Sequence, residues 1–138
     1  MRKAAMCLAI LLLAVVLPSL TFTEDQDTVL LARAVYALAR EESYEAKLAL
    51  ASLVLNRVED PWHPNTLGAV LEEKHQFPAG NYYDEDSLRA AHEVLAGKRT
   101  LPGEVTYFQS TDASARWDDA YLYKTIGGLA FYTRNGNR

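Results

Sequence analysis

Apolar residues recur at helical spacing soon after a short acidic stretch. Leu31, Val35 and Leu38 fall on one face of a helix, which predicts a first helix over residues 28–39. The acidic residues lie just before it, where the positive end of the helix dipole favours negative charge. The folded domain is therefore predicted to begin with a helix that has an N-terminal cap.

The next apolar run covers nearly the whole circumference of a second helix. It follows Ser43, a candidate N-cap, and continues through Leu55, after which the segment 56–65 contains two prolines and is predicted to end it. A helix that is apolar on all sides is normally enclosed by its neighbours. We therefore expect this helix at the centre of the domain.

Shorter elements and turn signals follow the central helix. A short helix is predicted over residues 66–73, and a loop rich in aromatic residues comes after it. Asp86 or Ser87 is placed to cap a longer helix that ends at Gly97. The helical part of the chain is thus predicted to end before residue 100.

The spacing changes to that of strands in the last third of the chain. Residues 105–109 are β-branched and aromatic, and residues 120–126 and 129–133 flank the pair Gly127-Gly128, which is typical of a two-residue hairpin turn. The sequence predicts one α+β domain, with helices first and a small antiparallel sheet in the C-terminal half.

The N-terminus has the order of a secretory signal peptide. Arg2 and Lys3 precede an unbroken apolar run over residues 4–17. We predict a signal peptide over residues 1–23, a folded domain over residues 28–133, and export to the periplasm or cell envelope. The alternative is an uncleaved segment that anchors the protein in the inner membrane, although the run is short for a membrane span.

Charge and residue counts exclude several classes of function. The chain has 14 basic and 18 acidic residues, and such an acidic balance lacks the basic face that binds nucleic acid. Its single cysteine, Cys7, lies in the predicted signal peptide. His63, His75 and His92 have no metal-ligand spacing, so we expect no metal site.

Three glutamates are concentrated between the first two predicted helices. Glu41, Glu42 and Glu45 lie where one helix ends and a buried helix begins. Apolar surroundings favour the protonated form of a carboxyl group, which a general acid on a glycosidic oxygen requires. The alternative is that these residues only stabilise a helix N-terminus.

Aromatic and amide side chains are abundant after the central helix. Aromatic faces and amides are typical of sites that hold sugar rings, although Tyr and Trp also serve as core residues. The set comprises Gln76, Asn81, Tyr82, Tyr83, Tyr107, Phe108, Gln109, Trp117, Tyr121 and Tyr123. The candidate binding residues among them are Gln76, Tyr107, Gln109 and Trp117.

Several short motifs follow one another between Val35 and Tyr132. They are V-Y-x-x-A-R-x-E-x-Y-E, L-A-L-A-S-L-V-L-N-R-V, P-N-T-L-G-A-V-L, the pairs Gln76-Phe77 and Tyr107-Phe108, Trp117, and T-I-G-G-L-A-F-Y. In this order they resemble the SleB/CwlJ-type cell-wall hydrolases. The resemblance adds Tyr36 and Phe77 to the candidate binding residues.

The resemblance implies a lysozyme-like α+β domain that cleaves the glycan strand of peptidoglycan between N-acetylmuramic acid and N-acetylglucosamine. In the manner of lytic transglycosylases, one glutamic acid protonates the leaving oxygen and then acts as a base. The resemblance implies no metal or cofactor.

The chain departs from the family at one informative column. The family usually reads E-A-R-G-E at the end of the first helix, whereas this chain has Leu38 in place of the first glutamate and Glu41 in place of the glycine. One interpretation is an active enzyme that uses Glu42, with Glu45 or Glu41 as the other candidates. The other interpretations are a degenerate module that binds peptidoglycan without cleaving it, and a structural envelope protein without glycan affinity.

Overall fold

The computed structural model describes residues 25–73, 76–78 and 80–133. The predicted signal peptide over residues 1–23 lies outside these residues, and no helix within the described ranges is long and apolar enough to cross a membrane. The helices are α1 (Gln26–Ala39), α2 (Tyr44–Glu59), α3 (Leu67–Leu71) and α4 (Glu85–Leu95).

Helix α2 is the centre of the domain, as its apolar circumference predicts. Every residue from Ala46 to Arg57 is buried, and α2 packs against α1, α3, α4 and the first strand. The Ser43 side chain accepts a hydrogen bond from the backbone N–H of Ala46 at 3.2 Å, which confirms the predicted cap.

The predicted end of α2 was wrong. The helix continues past Asn56 to Glu59, two residues before the first proline of the following loop. Asn56 is buried because its amide donates hydrogen bonds to the backbone oxygens of Pro102 at 2.8 Å and Val105 at 3.0 Å. The extra turn therefore places polar side chains inside the protein.

We expect Leu53→Ala to lower the free energy of unfolding by roughly 2–5 kcal/mol, because Leu53 is fully buried and its truncation leaves a cavity. Chemical denaturation of the purified variant measures the change. Leu88→Ala is the matched control, since Leu88 packs against the core but stays half-exposed. Equal midpoints for the two variants would contradict the central position of α2.

The N-terminus of α4 differs from the predicted one. Asp84, and neither Asp86 nor Ser87, caps the helix: its carboxylate accepts the Ser87 backbone N–H at 2.8 Å. Hydrogen bonding from Ser87 holds the pKa of Asp84 below its usual value. Two further acidic residues occupy the first turn, so the sequence pattern left the choice of cap open.

The three strands form one antiparallel sheet. They are β1 (Val105–Ser110), β2 (Leu122–Ile126) and β3 (Leu129–Thr133), in the spatial order β1-β3-β2. The Gly127-Gly128 turn joins β2 to β3 as predicted, with φ of 57° at Gly127, where only glycine is free of strain. A 3₁₀ turn over Asp119–Tyr121 shortens the predicted β2 at its start. The α+β class is confirmed.

Candidate active site

The guanidinium of Arg57 is enclosed at the end of α2. Only 1% of the residue is exposed. Its Nε donates to the backbone oxygen of Thr106 at 2.6 Å, and its Nη2 donates to Oε1 of Gln76 at 3.0 Å. Its Nη1 lies 3.6 Å from Oε1 of Glu73, which supplies the opposite charge. A buried arginine thus ties α2 to β1 and to the loop after α3.

Aromatic rings surround this guanidinium. The Arg57 Cζ atom lies 5.3 Å from the ring centre of Phe77, 5.9 Å from that of Tyr107 and 5.8 Å from that of Phe108. A guanidinium within about 6 Å of an aromatic face is attracted by the ring quadrupole. The arginine therefore also fixes the aromatic residues of β1.

Glu73 connects Arg57 to His63, whose side chain is only 6% exposed. Both carboxylate oxygens of Glu73 lie near Nδ1 of His63, at 3.2 Å and 3.1 Å. A carboxylate only accepts hydrogen bonds, so Nδ1 carries the proton. The Nε2 atom of His63 lies 4.0 Å from Oδ2 of Asp60, which places the imidazole between two carboxylates. The Glu73 side chain retains 23% exposure.

These groups line a pocket of about 330 Å³. The pocket brings together three of the predicted binding residues, Gln76, Tyr107 and Trp117, which are far apart in the sequence. Its lining residues are Arg57, His63, Glu73, Gln76, Tyr107 and Trp117. We call it the Arg57 pocket.

Gln109 holds one wall of the Arg57 pocket in place. Its Oε1 accepts the backbone N–H of Trp117 at 2.8 Å and the hydroxyl of Tyr132 at 3.2 Å, and its Nε2 donates to the backbone oxygen of Ala115 at 2.8 Å. The ring centre of Trp117 lies 4.5 Å from that of Tyr107. Gln109 thus positions Trp117 from outside the pocket lining.

Two further predicted binding residues, like Gln109, lie outside the lining of the Arg57 pocket. Tyr36 packs edge-on against Tyr82, with ring centres 4.9 Å apart. Phe77 packs against Phe108 at 5.7 Å and also lines a separate cavity of about 300 Å³ between α1 and α3. The predicted binding set is therefore spread over several surfaces.

The three predicted glutamates differ in their surroundings. Glu42 is half-buried, and its Oε2 accepts the backbone N–H of Gly128 at 3.1 Å. The Glu41 side chain is 92% exposed, and the Glu45 side chain is 62% exposed and lies 3.2 Å from the Lys124 ammonium. Only Glu42 among the three is held by the protein backbone.

The Glu42 carboxylate lies directly on the hairpin turn. A Cβ atom at Gly127 or Gly128 would overlap its oxygens, so a larger residue at either position would displace the glutamate. The pair of glycines thus serves two purposes, since it permits the turn and admits the carboxylate.

The acidic corner and the Arg57 pocket lie towards opposite ends of α2. Ser43 and Arg57 are separated by roughly 20 Å along the helix axis, at about 1.5 Å per residue. Strand β1 connects the two regions. At one end the backbone oxygen of Val105 accepts a hydrogen bond from the Asn56 amide. Just beyond the other end the backbone N–H of Thr111 donates to the backbone oxygen of Gly128. The half-exposed side chains of β1 lie between them.

No group of three or more His, Cys, Asp or Glu side chains that could hold a metal ion occurs within the described ranges.

Comparison with known proteins assigns the chain to a family. The profile of the family described as Cell Wall Hydrolase matches residues 41–132, which include α2, the Arg57 pocket and all of the sheet except its last residue. The chain is a cell wall hydrolase family member.

Curated relatives agree with this assignment. The chain is 35% identical over 99 residues to a spore cortex-lytic enzyme of Halalkalibacterium halodurans and 33% identical over 99 residues to one of Bacillus subtilis. Each alignment covers 67% of this chain, but only 30% and 32% of the respective relative. The chain thus spans about a third of the length of the curated relatives it matches.

Solved structures of the family share the fold. The catalytic domain of the Bacillus cereus SleB protein superposes with a TM-score of 0.69 and 27% identity, over 78% of this chain and 89% of that domain. The catalytic domain of the germination-specific lytic transglycosylase SleB of Bacillus anthracis gives a TM-score of 0.70 and 28% identity, over 78% and 93%. The resemblance found in the sequence motifs is confirmed.

Leu38 precedes Glu42 by four residues, at the position where the resemblance in the sequence motifs implies a glutamate. Leu38 is half-buried and packs against the core cluster that contains Leu50 and Phe131. Phe77 and Phe108 pack against the same cluster. A leucine therefore fits this position by apolar packing, whereas a carboxyl group there would lie beside apolar side chains.

Sequence patterns did not predict Arg57, His63 and Glu73 as residues of this pocket. The sequence did contain a signal for Arg57. Arg57 continues a helix that is apolar on all sides, and a charged residue that such a helix buries needs a charged or hydrogen-bonding partner. His63 and Glu73 lie in segments that look like an ordinary loop and the end of a short helix, so only their contacts in the fold identify them.

Proposed function

We propose that the chain cleaves the glycan strand of peptidoglycan between N-acetylmuramic acid and N-acetylglucosamine, as a lytic transglycosylase or muramidase. The observation that carries the proposal is the Arg57 pocket, in which Gln76, Tyr107 and Trp117 meet. Amide and aromatic groups in one concave surface suit a sugar ring. Membership in the cell wall hydrolase family and the cell-wall-lytic functions of the named relatives support it.

We propose Glu42 as the proton donor. Its Oε2 accepts the Gly128 N–H, so Oε1 is the oxygen left to carry the proton. In the reaction the bond between the anomeric carbon and the leaving oxygen breaks, and that oxygen takes the Glu42 proton. The resulting carboxylate then accepts a proton from the muramic 6-hydroxyl, whose oxygen attacks the anomeric carbon, or from water in the muramidase variant. The family resemblance implies no metal or cofactor in this reaction.

Leu38 favours a second candidate function. The resemblance implies a glutamate at this position, and here it is filled by a side chain packed against the apolar core. A chain that keeps the pocket but lacks this carboxyl group would bind peptidoglycan without cleaving it. The two candidates share the ligand and differ in turnover.

We further propose that residues 1–23 direct export, so that the domain meets peptidoglycan in the periplasm or cell envelope. The charged and then apolar order of this segment supports the proposal. An uncleaved segment would instead leave the domain anchored to the inner membrane while it faces the same substrate.

Incubation of the purified protein with peptidoglycan, followed by mass spectrometry of the released muropeptides, tests the proposed cleavage. We expect soluble muropeptides, with an anhydro end for transglycosylase chemistry or a reducing end for muramidase chemistry. Co-sedimentation with intact peptidoglycan in the same samples measures binding. Binding without release would favour the binding module, and neither binding nor release would reject both.

A further inference from the structure

We propose that the Arg57 pocket receives the acetamido group of an N-acetylated amino sugar, with Gln76 donating to its carbonyl oxygen and Glu73 accepting from its N–H. The inference rests on the proposed function in that the glycan is the ligand. It adds the chemical group that the pocket selects and the residues that select it.

The orientation of the Gln76 amide follows from its partner. A guanidinium has only donors, so the Gln76 oxygen must face Nη2 of Arg57, as the 3.0 Å contact shows. The amide nitrogen therefore points away from Arg57, and both of its hydrogens are donors. Because Gln76 lines the pocket and is half-exposed, this nitrogen is the donor available to a ligand carbonyl.

Glu73 supplies the complementary acceptor. Its carboxylate is bound by His63 and lies near Arg57, yet two oxygens offer more acceptor positions than these contacts use. Since 23% of its side chain is exposed in the pocket, it can accept one more hydrogen bond. One surface thus presents both an N–H donor and a carboxylate acceptor, which matches an amide group.

The charge of the pocket favours a neutral ligand. The buried Arg57 guanidinium lies 3.6 Å from the Glu73 carboxylate and offsets its charge. A ligand ammonium would approach that guanidinium and the Gln76 N–H donors, and a ligand carboxylate would approach Glu73. An acetamido group is neutral, so it avoids both unfavourable charge contacts while it forms hydrogen bonds with Gln76 and Glu73.

The aromatic walls suit the methyl part of the group. The Tyr107 and Trp117 rings lie 4.5 Å apart between centres, and Gln109 fixes the Trp117 backbone. Apolar faces on one side and two hydrogen-bonding groups on the other distinguish an acetamido group from a bare hydroxyl, which has no methyl to bury.

Calorimetric titration with two tetrasaccharides tests the inference. The probes are the tetramer of N-acetylglucosamine and its fully N-deacetylated form. We expect wild-type protein to bind the acetylated tetramer at least about tenfold more tightly, because a site built to hydrogen-bond a group rejects analogues that lack it. The Gln76→Glu variant keeps an oxygen for Arg57 but replaces the N–H donors with an acceptor, and we expect it to reduce this ratio to near one.

Gln26→Glu is the matched control, because it makes the same chemical change on the exposed first turn of α1. It should keep the wild-type ratio. Denaturation midpoints establish that each variant is folded, and a purely structural role of Gln76 would lower affinity for both tetramers alike. A wild-type protein that does not bind the acetylated tetramer, or an unchanged ratio in Gln76→Glu, would overturn the inference.

Peptidoglycan cleavage by the same preparations separates the two proposals. Cleavage together with equal binding of both tetramers would retain the proposed function and reject the acetamido site. Acetyl-dependent binding without cleavage would retain the site and reject turnover.

Discussion

The Glu42→Gln variant is expected to lose glycan cleavage by roughly 100- to 10,000-fold while its stability stays near that of wild type, because general acid catalysis contributes a factor of that order. A glutamine has the same shape, and its amide oxygen still accepts the Gly128 N–H. What it lacks is a proton that can be transferred to the leaving oxygen. Muropeptide release per unit time measures the loss, and the denaturation midpoint checks the fold.

Glu41→Gln and Glu45→Gln are the controls for this change. Glu41 is almost fully exposed, and Glu45 is paired with Lys124, so neither substitution should reduce cleavage by more than a small factor. Full activity in Glu42→Gln would transfer the role to another carboxyl group.

A wild-type protein that binds peptidoglycan but releases nothing would shift attention to Leu38. In that case Leu38→Glu should restore some cleavage, because it returns a carboxyl group to the family column one turn before Glu42. A folded Leu38→Glu variant without activity would contradict this explanation of the inactivity.

The second large effect is expected for stability. Arg57→Met should lower the free energy of unfolding by about 3–5 kcal/mol, the range for breaking a buried ion pair by removing one partner. Methionine fills similar space but leaves Glu73 without its guanidinium. It also leaves the backbone oxygen of buried Thr106 and the amide oxygen of Gln76 without their donor.

Arg116→Met is the matched control for this prediction. Arg116 is 54% exposed, and its ion pair with Asp119 at 3.7 Å lies at the surface, where such pairs contribute little. Urea denaturation of both variants and wild type gives the comparison. If Arg57→Met denatures at the same urea concentration as Arg116→Met, the buried contacts described here do not stabilise the fold.

Local patterns in the sequence predicted most of the elements. The apolar circumference of α2 predicted its central position, and the Gly127-Gly128 pair predicted the hairpin, since both signals come from residues close together in the chain. Boundaries were less certain where several residues could serve the same purpose. Asp84 caps α4 although two more acidic residues follow it, and α2 extends to Glu59 because Asn56 and Arg57 find partners inside the protein.

The sequence by itself determined the class of the fold, the family and the types of residue available for chemistry. The tertiary structure alone decided which of them meet. Arg57 contacts Gln76 and Glu73 only because the chain after α3 folds back onto the end of α2. Glu42 reaches Gly128 only because β3 returns beside β1. Such contacts depend on the packing of distant segments around one buried helix, and no local spacing of residues encodes them.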